Sequence, residues 1–280
     1  MSNRKHPTIS VIMSVYNNEE YLSEAIESVL NQSYKDFEFI ITDDASTDRS
    51  REIIEKYAKK DSRIKILNNE KNIGLTKSLN NMIEISSGEY IARMDGDDIC
   101  LPHRLEHQLQ TFKSKDIQIS FGDTILIDHY GKVLCHSWRP NKLSTILKLL
   151  KFKIHNYIPH PTVMLRKEVF EKYGKYDTQF TTGQDEELWR RLLSKKVKFY
   201  YERKPLLMYR INPSSVRAKR GENYNYKIAS ILIANRHKKK SIKYFSKLTT
   251  KEKILLIFKI ISPYWFKYAK SILISLKRNF

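Results

Sequence analysis

Residues 88–98 read GEYIARMDGDD, a short apolar run ending on three carboxylates within four positions, Asp95, Asp97 and Asp98. A few apolar residues closed by turn formers predict a strand buried on both faces. The same cadence occurs three times upstream. TISVIMSVYN (8–17), FEFIITDD (37–44) and IKILNN (64–69) each pass from apolar, largely β-branched residues to Asn or Asp. Between the first two, Tyr21, Leu22, Ala25, Ile26, Val29 and Leu30 recur at helical spacing, with Glu19 and Glu20 expected in the first turn. STDRSREIIEKYAKKD and GLTKSLNNMIEISS predict two more helices, and the alternation predicts βαβ units on a mostly parallel sheet. Such sheets bind ligands beyond the carboxyl ends of their strands. Polar residues gather there: Asn17 and Asn18, Asp43 and Asp44, Asn68 and Asn69, and the Asp95 group.

Further along, LPHRLEHQLQTFKSKD predicts a helix opened by Pro102, and IQISFGDTILID and GKVLCHSW predict antiparallel strands. STILKLLKFKI is expected as a helix, and IPHPTVMLRKEVFEKYGKYD as a strand and a short helix. Neither an internal repeat nor a Gly/Ser-rich linker is visible. The 280 residues suffice for one large α/β domain with an appendage, divided here at 1–220 and 221–280, where SSVRAKRGEN turns polar and basic. Cys100 and Cys135 are the only cysteines, which excludes a disulfide framework and a structural zinc site and suits a reducing cytoplasm. The amino end lacks a signal-peptide h-region, and no stretch reaches the roughly 18 to 20 uninterrupted apolar residues of a spanning helix.

Three crowded carboxylates repel one another unless a positive charge lies between them. DGDD alone also suits a turn. After a buried strand, however, the hard oxygens suit Mg²⁺ or Mn²⁺, which use one or two carboxylates together with substrate phosphates. In TDDASTD (42–48), Ser46 or Thr47 is expected to cap the next helix, with Asp48 answering its dipole. Asp43 or Asp44 is then left to accept hydrogen bonds from a ribose hydroxyl or a base N–H, as an acidic residue after the second strand does in dinucleotide folds.

ISVIMSVYNNEEYLSEAIESVLNQSYKDFEFIITDDASTD, NNEKNIGLTKSLNNMIEISSGEYIARMDGDD and TTGQDEELWRRL together resemble family 2 glycosyltransferases of the GT-A fold, over about residues 7 to 215. The resemblance implies an α/β, Rossmann-like GT-A domain and inverting, hexosyltransferase-type transfer from a nucleotide sugar, with a UDP-sugar favoured. It implies Mn²⁺ or Mg²⁺ at a DxD-like motif, with Asp97 and Asp98 on the metal and Asp95 on the donor. Donor contacts would fall on Val15, Tyr16, Asn17 and Glu19, on Asp43 or Asp44, and on Asn72, Gly74 and Lys77. The base would be Asp185, although Gln184 stands where the family usually has Glu, and Asp185, Glu186 and Glu187 also suit the acidic first turn of a helix. His160 and Gln184 would contact acceptor or sugar. Arg210 would clamp the diphosphate, while Asn212 replaces a family histidine. A nucleotidyltransferase would also use metal-binding aspartates on βαβ units, but SVYNNEEY lacks a glycine-rich phosphate loop; a degenerate nucleotide-sugar or carbohydrate-binding module is the non-enzymatic alternative.

Residues 201–280 carry 20 Lys and Arg against three acidic residues, a surplus of 17, whereas the first 200 residues have a surplus of only 3. KILLIFKIISPYWFKYAKSILISLKR (253–278) is too interrupted to span a bilayer. With Tyr264, Trp265 and Tyr268 among its lysines, it is expected to lie on an anionic membrane surface, the alternative being a helical appendage packed on the domain. Nucleic acid is not the expected partner, because ILLIFKII would then be exposed without purpose. These expectations describe an enzyme of cell-surface polysaccharide synthesis, peripheral on the cytoplasmic face of the membrane, acting on a glycan or lipid-linked acceptor.

Overall fold

The apolar runs form parallel strands because every backbone group buried between two layers of helices finds a partner in the neighbouring strand. The computed structural model describes residues 6–137 and 139–212, together with 225, 228–230, 232, 238–250, 252–254 and 256. Strands β1 (Ile9–Val15), β2 (Phe37–Asp43), β3 (Ile64–Asn68) and β4 (Tyr90–Asp95) alternate with helices α1 (Leu22–Leu30), α2 (Ser50–Ala58) and α3 (Leu75–Ile85). Then follow β5 (Ile99–Cys100), α4 (Arg104–Ser114), β6 (Ile119–Ile127), β7 (Val133–His136), α5 (Leu143–Lys151) and a 3₁₀ turn at His160–Thr162. The described elements continue with β8 (Met164–Arg166), α6 (Glu168–Tyr173), α7 (Gln184–Ser194), β9 (Phe199–Arg210) and α8 (Lys238–Phe245).

The chain divides into two compact units, Met1–Ile125 with Arg139–Arg210, and Leu126–Trp138 with Ile211–Phe280. In the sheet the strand order is β3-β2-β1-β4-β8-β6-β9-β5. The β3-β2-β1-β4 half is parallel, and β8 turns the sheet antiparallel by pairing with both β4 and β6. Period-2 alternation sends successive side chains to opposite faces. Val11, Phe39, Ala92 and Met94 therefore join Leu22, Ile26, Ile54 and Leu105 in one core. Ile12, Ile40 and Ile91 join Leu79, Ile146, Leu188 and Trp189 in the other. In the second unit, Asp128 Oδ1 accepts from the Tyr130 and Lys132 N–H groups at 3.0 and 2.9 Å in a tight turn, and Ala229, Leu248 and Leu256 form a small cluster.

Two local expectations are corrected. Glu19 and Glu20 precede α1, whose first turn carries Glu24 instead. The helix expected over STILKLLKFKI stops at Lys151, leaving residues 152–154 outside it. Cys100 and Cys135 are both buried, and no disulfide joins them. Among the described residues no helix is long and apolar enough to cross a membrane. The stretch holding Tyr264, Trp265 and Tyr268, and the boundary expected at 220, lie outside the described residues.

Candidate active site at the carboxyl edge of the sheet

Parallel register aligns the strand ends: Val15 lies opposite Asp43, Asp43 opposite Asn68, and Ser14 opposite Asp95. The loop after β1 is laced to the loop after β2. The Asn17 N–H donates to Ser46 Oγ at 3.0 Å, and Asn17 Oδ1 accepts from the Thr47 N–H at 2.8 Å. Asp48 Oδ2 accepts from the Glu19 N–H at 3.0 Å, while Glu19 Oε2 accepts from the backbone and side chain of Arg49. Ser46 and Thr47 thus bind the neighbouring loop and do not cap α2; Asp48 Oδ1 instead accepts from the Ser50 N–H at 2.9 Å. A loop-to-loop contact, invisible to local capping rules, claims those hydroxyls. Tyr16 projects beside this lacing, 44% exposed.

The two aspartates after β2 divide their roles. Asp44 Oδ1 accepts from the Ile73 N–H at 2.9 Å and from Asn69 Nδ2 at 2.8 Å, and Oδ2 accepts from the Gly74 N–H at 2.9 Å. That carboxylate is committed to holding the 72–74 loop. Asp43, equally buried, accepts the Ser46 N–H at 3.2 Å. Asn72 and Lys77 are exposed.

After β4, Asp95, Asp97 and Asp98 each bring a carboxylate oxygen to within 4.8 Å of the others. Gly96 packs against the loop after β1, where a Cβ would lie 2.7 Å from Asn18 Nδ2. Asp98 is 1% exposed; its Oδ1 accepts from the Arg210 N–H at 2.8 Å, and its buried Oδ2 has no hydrogen-bond partner among the described residues. Burial, then the charges of Asp97 and Asp95, push its carboxyl well above the ordinary range, against the Arg210 N–H and Arg93. A buried oxygen without a donor, flanked by two carboxylates, is the donor set a hard divalent cation requires. The Arg210 guanidinium contacts Glu24, donates to the Asp97 carbonyl at 2.8 Å and lies 4.6 Å from the Tyr21 ring centroid, which holds it against the aspartate loop.

Gly183 adopts φ +78, a left-handed turn that sets the start of α7. Gln184 is buried, and its Oε1 has no partner among the described residues. Asp185 is half-buried, and its Oδ2 accepts from Asn156 Nδ2 at 3.1 Å. Glu187 is held by Arg191, so the acidic first turn expected from helix electrostatics coexists with a specifically tethered Asp185. His160 is buried, with Nε2 2.6 Å from the Tyr176 hydroxyl and its ring edge-on to Trp189. Burial, reinforced by the charge of Arg93, pushes its imidazole well below the ordinary range, which makes it a neutral supporting group.

Two further residues escaped the sequence reading. Arg93, 4% exposed inside β4, pairs with Asp95. A lone Arg in an apolar strand was the available signal, because a buried charge requires a partner. Tyr176 left no such signal. Burial raises its phenol; Arg93 opposes this, while the charges of Asp185 and Asp95 add to it. Tyr176 therefore sits within the field of both the aspartate loop and the α7 carboxylate.

Glycosyl transferase family 2 is the family whose sequence model matches, over residues 10–174. An uncharacterized glycosyltransferase of Methanocaldococcus jannaschii is 35% identical over 264 residues, covering 92% of this chain and 90% of that protein. An O-antigen biosynthesis glycosyltransferase of Escherichia coli is 36% identical over 251 residues, covering 88% and 95%. Among solved structures, S. aureus TarS in complex with UDP-GlcNAc superposes with TM-score 0.61 at 17% identity, over 91% of this chain and 72% of that one. A mannosyltransferase from Pyrobaculum calidifontis in complex with GDP-Man and Mn²⁺ gives TM-score 0.61 at 12% identity, over 96% and 84%. These two structures share the fold.

Proposed function

The chain belongs to glycosyltransferase family 2, and from that premise we propose that it transfers a sugar, with inversion, from a nucleotide-sugar donor held at the Asp95–Asp98 loop. The observation that carries this reading is the buried Asp98 Oδ2, unpartnered among the described residues, between two further carboxylates at the ligand edge of the sheet. Asp97 and Asp98 would hold Mn²⁺ or Mg²⁺, which when bound supplies Lewis-acid stabilisation of the charge developing on the departing nucleoside diphosphate. Asp95, fixed by Arg93, orients the donor ribose.

Asp43 accepts from the base, and exposed Tyr16 stacks on it; Val15, Asn17 and Glu19 shape this wall. Asp44 acts through the loop it latches, presenting Asn72, Gly74 and Lys77 to the donor. Asp185, oriented by Asn156, takes the proton from the acceptor hydroxyl as the new glycosidic bond forms and the sugar–phosphate bond breaks. The orphaned Gln184 Oε1 accepts from a sugar hydroxyl, and His160 supports that wall through Tyr176.

A UDP-sugar is favoured as donor, and the relative of O-antigen biosynthesis supports a glycan or lipid-linked acceptor in cell-surface polysaccharide synthesis. The basic surplus after Tyr201 supports peripheral attachment of the tail to the inner membrane face. The test is a panel of UDP-, GDP- and dTDP-sugars, scored by thermal shift and nucleotide release with Mn²⁺, Mg²⁺ or chelator. One donor is expected to raise Tm and release nucleotide only with metal, and Asp185→Asn is expected to keep the shift and lose the release. No shift and no release with any donor would overturn the proposal.

A further inference from the structure

Helices α5 and α7 end alike, and their ends line one groove of about 800 Å³ within the first unit. After α5, the Lys153 N–H donates to the Leu150 carbonyl at 3.0 Å and the Ile154 N–H to the Leu149 carbonyl at 2.9 Å. After α7, the Lys196 N–H donates to the Leu193 carbonyl and the Val197 N–H to the Leu192 carbonyl, both at 3.1 Å. Each is a Schellman ending, whose left-handed residue is ordinarily glycine. Here it is Lys153 at φ 56 and Lys196 at φ 59. An L-residue meets a Cβ clash in that conformation which glycine avoids. Two such lysines line the same groove.

The surrounding residues extend the pattern. Lys148 and Lys151 add two more exposed cations, and none of these four lysines is in an ion pair among the described residues. The one carboxylate lining the groove among the described residues, Glu187, is already bound by Arg191. Phe152 is 59% and Ile154 39% exposed, interleaved with Lys151 and Lys153 along KFKI. Complementing the helix dipoles accounts for cations in the last turns. It does not account for lysine in place of glycine, nor for a bare phenylalanine and isoleucine between the charges.

We propose that this face of the catalytic unit, separately from the tail, docks on an anionic phospholipid surface, with Phe152 and Ile154 entering the headgroup–acyl boundary and Lys148, Lys151, Lys153 and Lys196 meeting lipid phosphates. Interleaved apolar and basic side chains are what an interfacial segment requires. A nucleic acid would give Phe152 a base to stack on but leave the exposed Ile154 without a counterpart. If α7 also carries the catalytic base, its 11 residues separate Asp185 from the lipid-facing end by about 15 Å along the helix, within reach of a lipid-linked acceptor.

The full chain is to be sedimented with vesicles of phosphatidylcholine alone or with about 30% phosphatidylglycerol, at physiological salt. Lys153→Gly combined with Lys196→Gly is expected to raise Tm, because glycine relieves both left-handed turns, while weakening partitioning to anionic vesicles by about 30-fold, roughly fivefold per lysine. Phe152→Trp is expected to shift its emission to the blue on anionic vesicles and to be quenched by brominated acyl chains. Partitioning altered by less than about threefold, a lowered Tm in the double glycine variant, or an unquenched indole at position 152 overturns the proposal. So does binding to heparin or single-stranded DNA without binding to anionic vesicles. None of these readings involves a nucleotide sugar, so they stand or fall apart from the donor assignment.

Discussion

Two strands flanking β1, β2 and β4, end in clustered aspartates, and the structure treats them in opposite ways. At the end of β2, Asp44 has both oxygens filled by backbone and side-chain N–H donors, and those bonds lock the 72–74 loop. At the end of β4, Asp98 is as deeply buried but faces two other carboxylates, and one oxygen has no donor among the described residues. The same carboxylate chemistry at the carboxyl edge of two strands thus yields a latch in one case and a prospective cation site in the other. What separates them is the supply of donors. The loop after β3 turns its N–H groups toward Asp44, whereas beneath Asp98 the Arg210 backbone provides one N–H and leaves the second oxygen alone.

The most direct way to break this contrast is Asp98→Asn. It removes a buried negative charge from a repulsive cluster, so Tm measured without metal is expected to rise, while metal-dependent turnover falls by about 10⁴-fold, the equivalent of losing several kcal/mol of Lewis-acid stabilisation. A variant that turns over normally would place Asp98 with Asp44 among the structural carboxylates. Next in size, Asp185→Asn is expected to lower the transfer rate by about 10³-fold, with the donor-induced thermal shift preserved. Equal loss of shift and rate would assign Asp185 to donor binding.

For the latch, Asp44→Ala is expected to cost about 3 kcal/mol in urea unfolding, because the Ile73 and Gly74 N–H groups lose their acceptor. Unchanged stability would show that the 72–74 loop does not depend on that carboxylate. The smallest effect concerns Glu38, a second acidic residue committed to structure. Burial opposes its charge, but hydrogen bonds from Lys65, Ser10 and Ser87 outweigh burial and hold the carboxyl at about 2. Its contribution is therefore present above the unfolded value of about 4.5 and lost as pH falls towards about 2. Urea midpoints of wild type and Glu38→Gln are expected to converge by about 2 kcal/mol across that window. Parallel curves would remove Glu38 from the group of paired acids.

The parallel half of the sheet was legible from residues alone, because apolar runs buried on both faces carry their own signature and the polar residues after them mark one edge. The crowding of Asp95, Asp97 and Asp98 was legible for the same reason. The division of labour between Asp43 and Asp44 was not, since it depends on donors about 30 residues away. Nor was the use of Ser46 and Thr47: capping is a local expectation, and the loop after β1 competes for the same hydroxyls. Arg93 showed itself as a charge in an apolar strand but without its partner. Tyr176 resembled any aromatic of a loop until burial placed it in the fields of Asp95 and Asp185.

By itself the sequence determined the periodicities, and with them which residues are strand, which are helix, and at which edge the carboxylates stand, because hydrophobic burial and backbone pairing act on local pattern. Tertiary structure decided what each carboxylate does. A charge takes its role from the donors, cations and solvent within a few ångströms, and in this chain those neighbours arrive from distant segments: Gly74 for Asp44, Arg210 for Asp98 and Asn156 for Asp185.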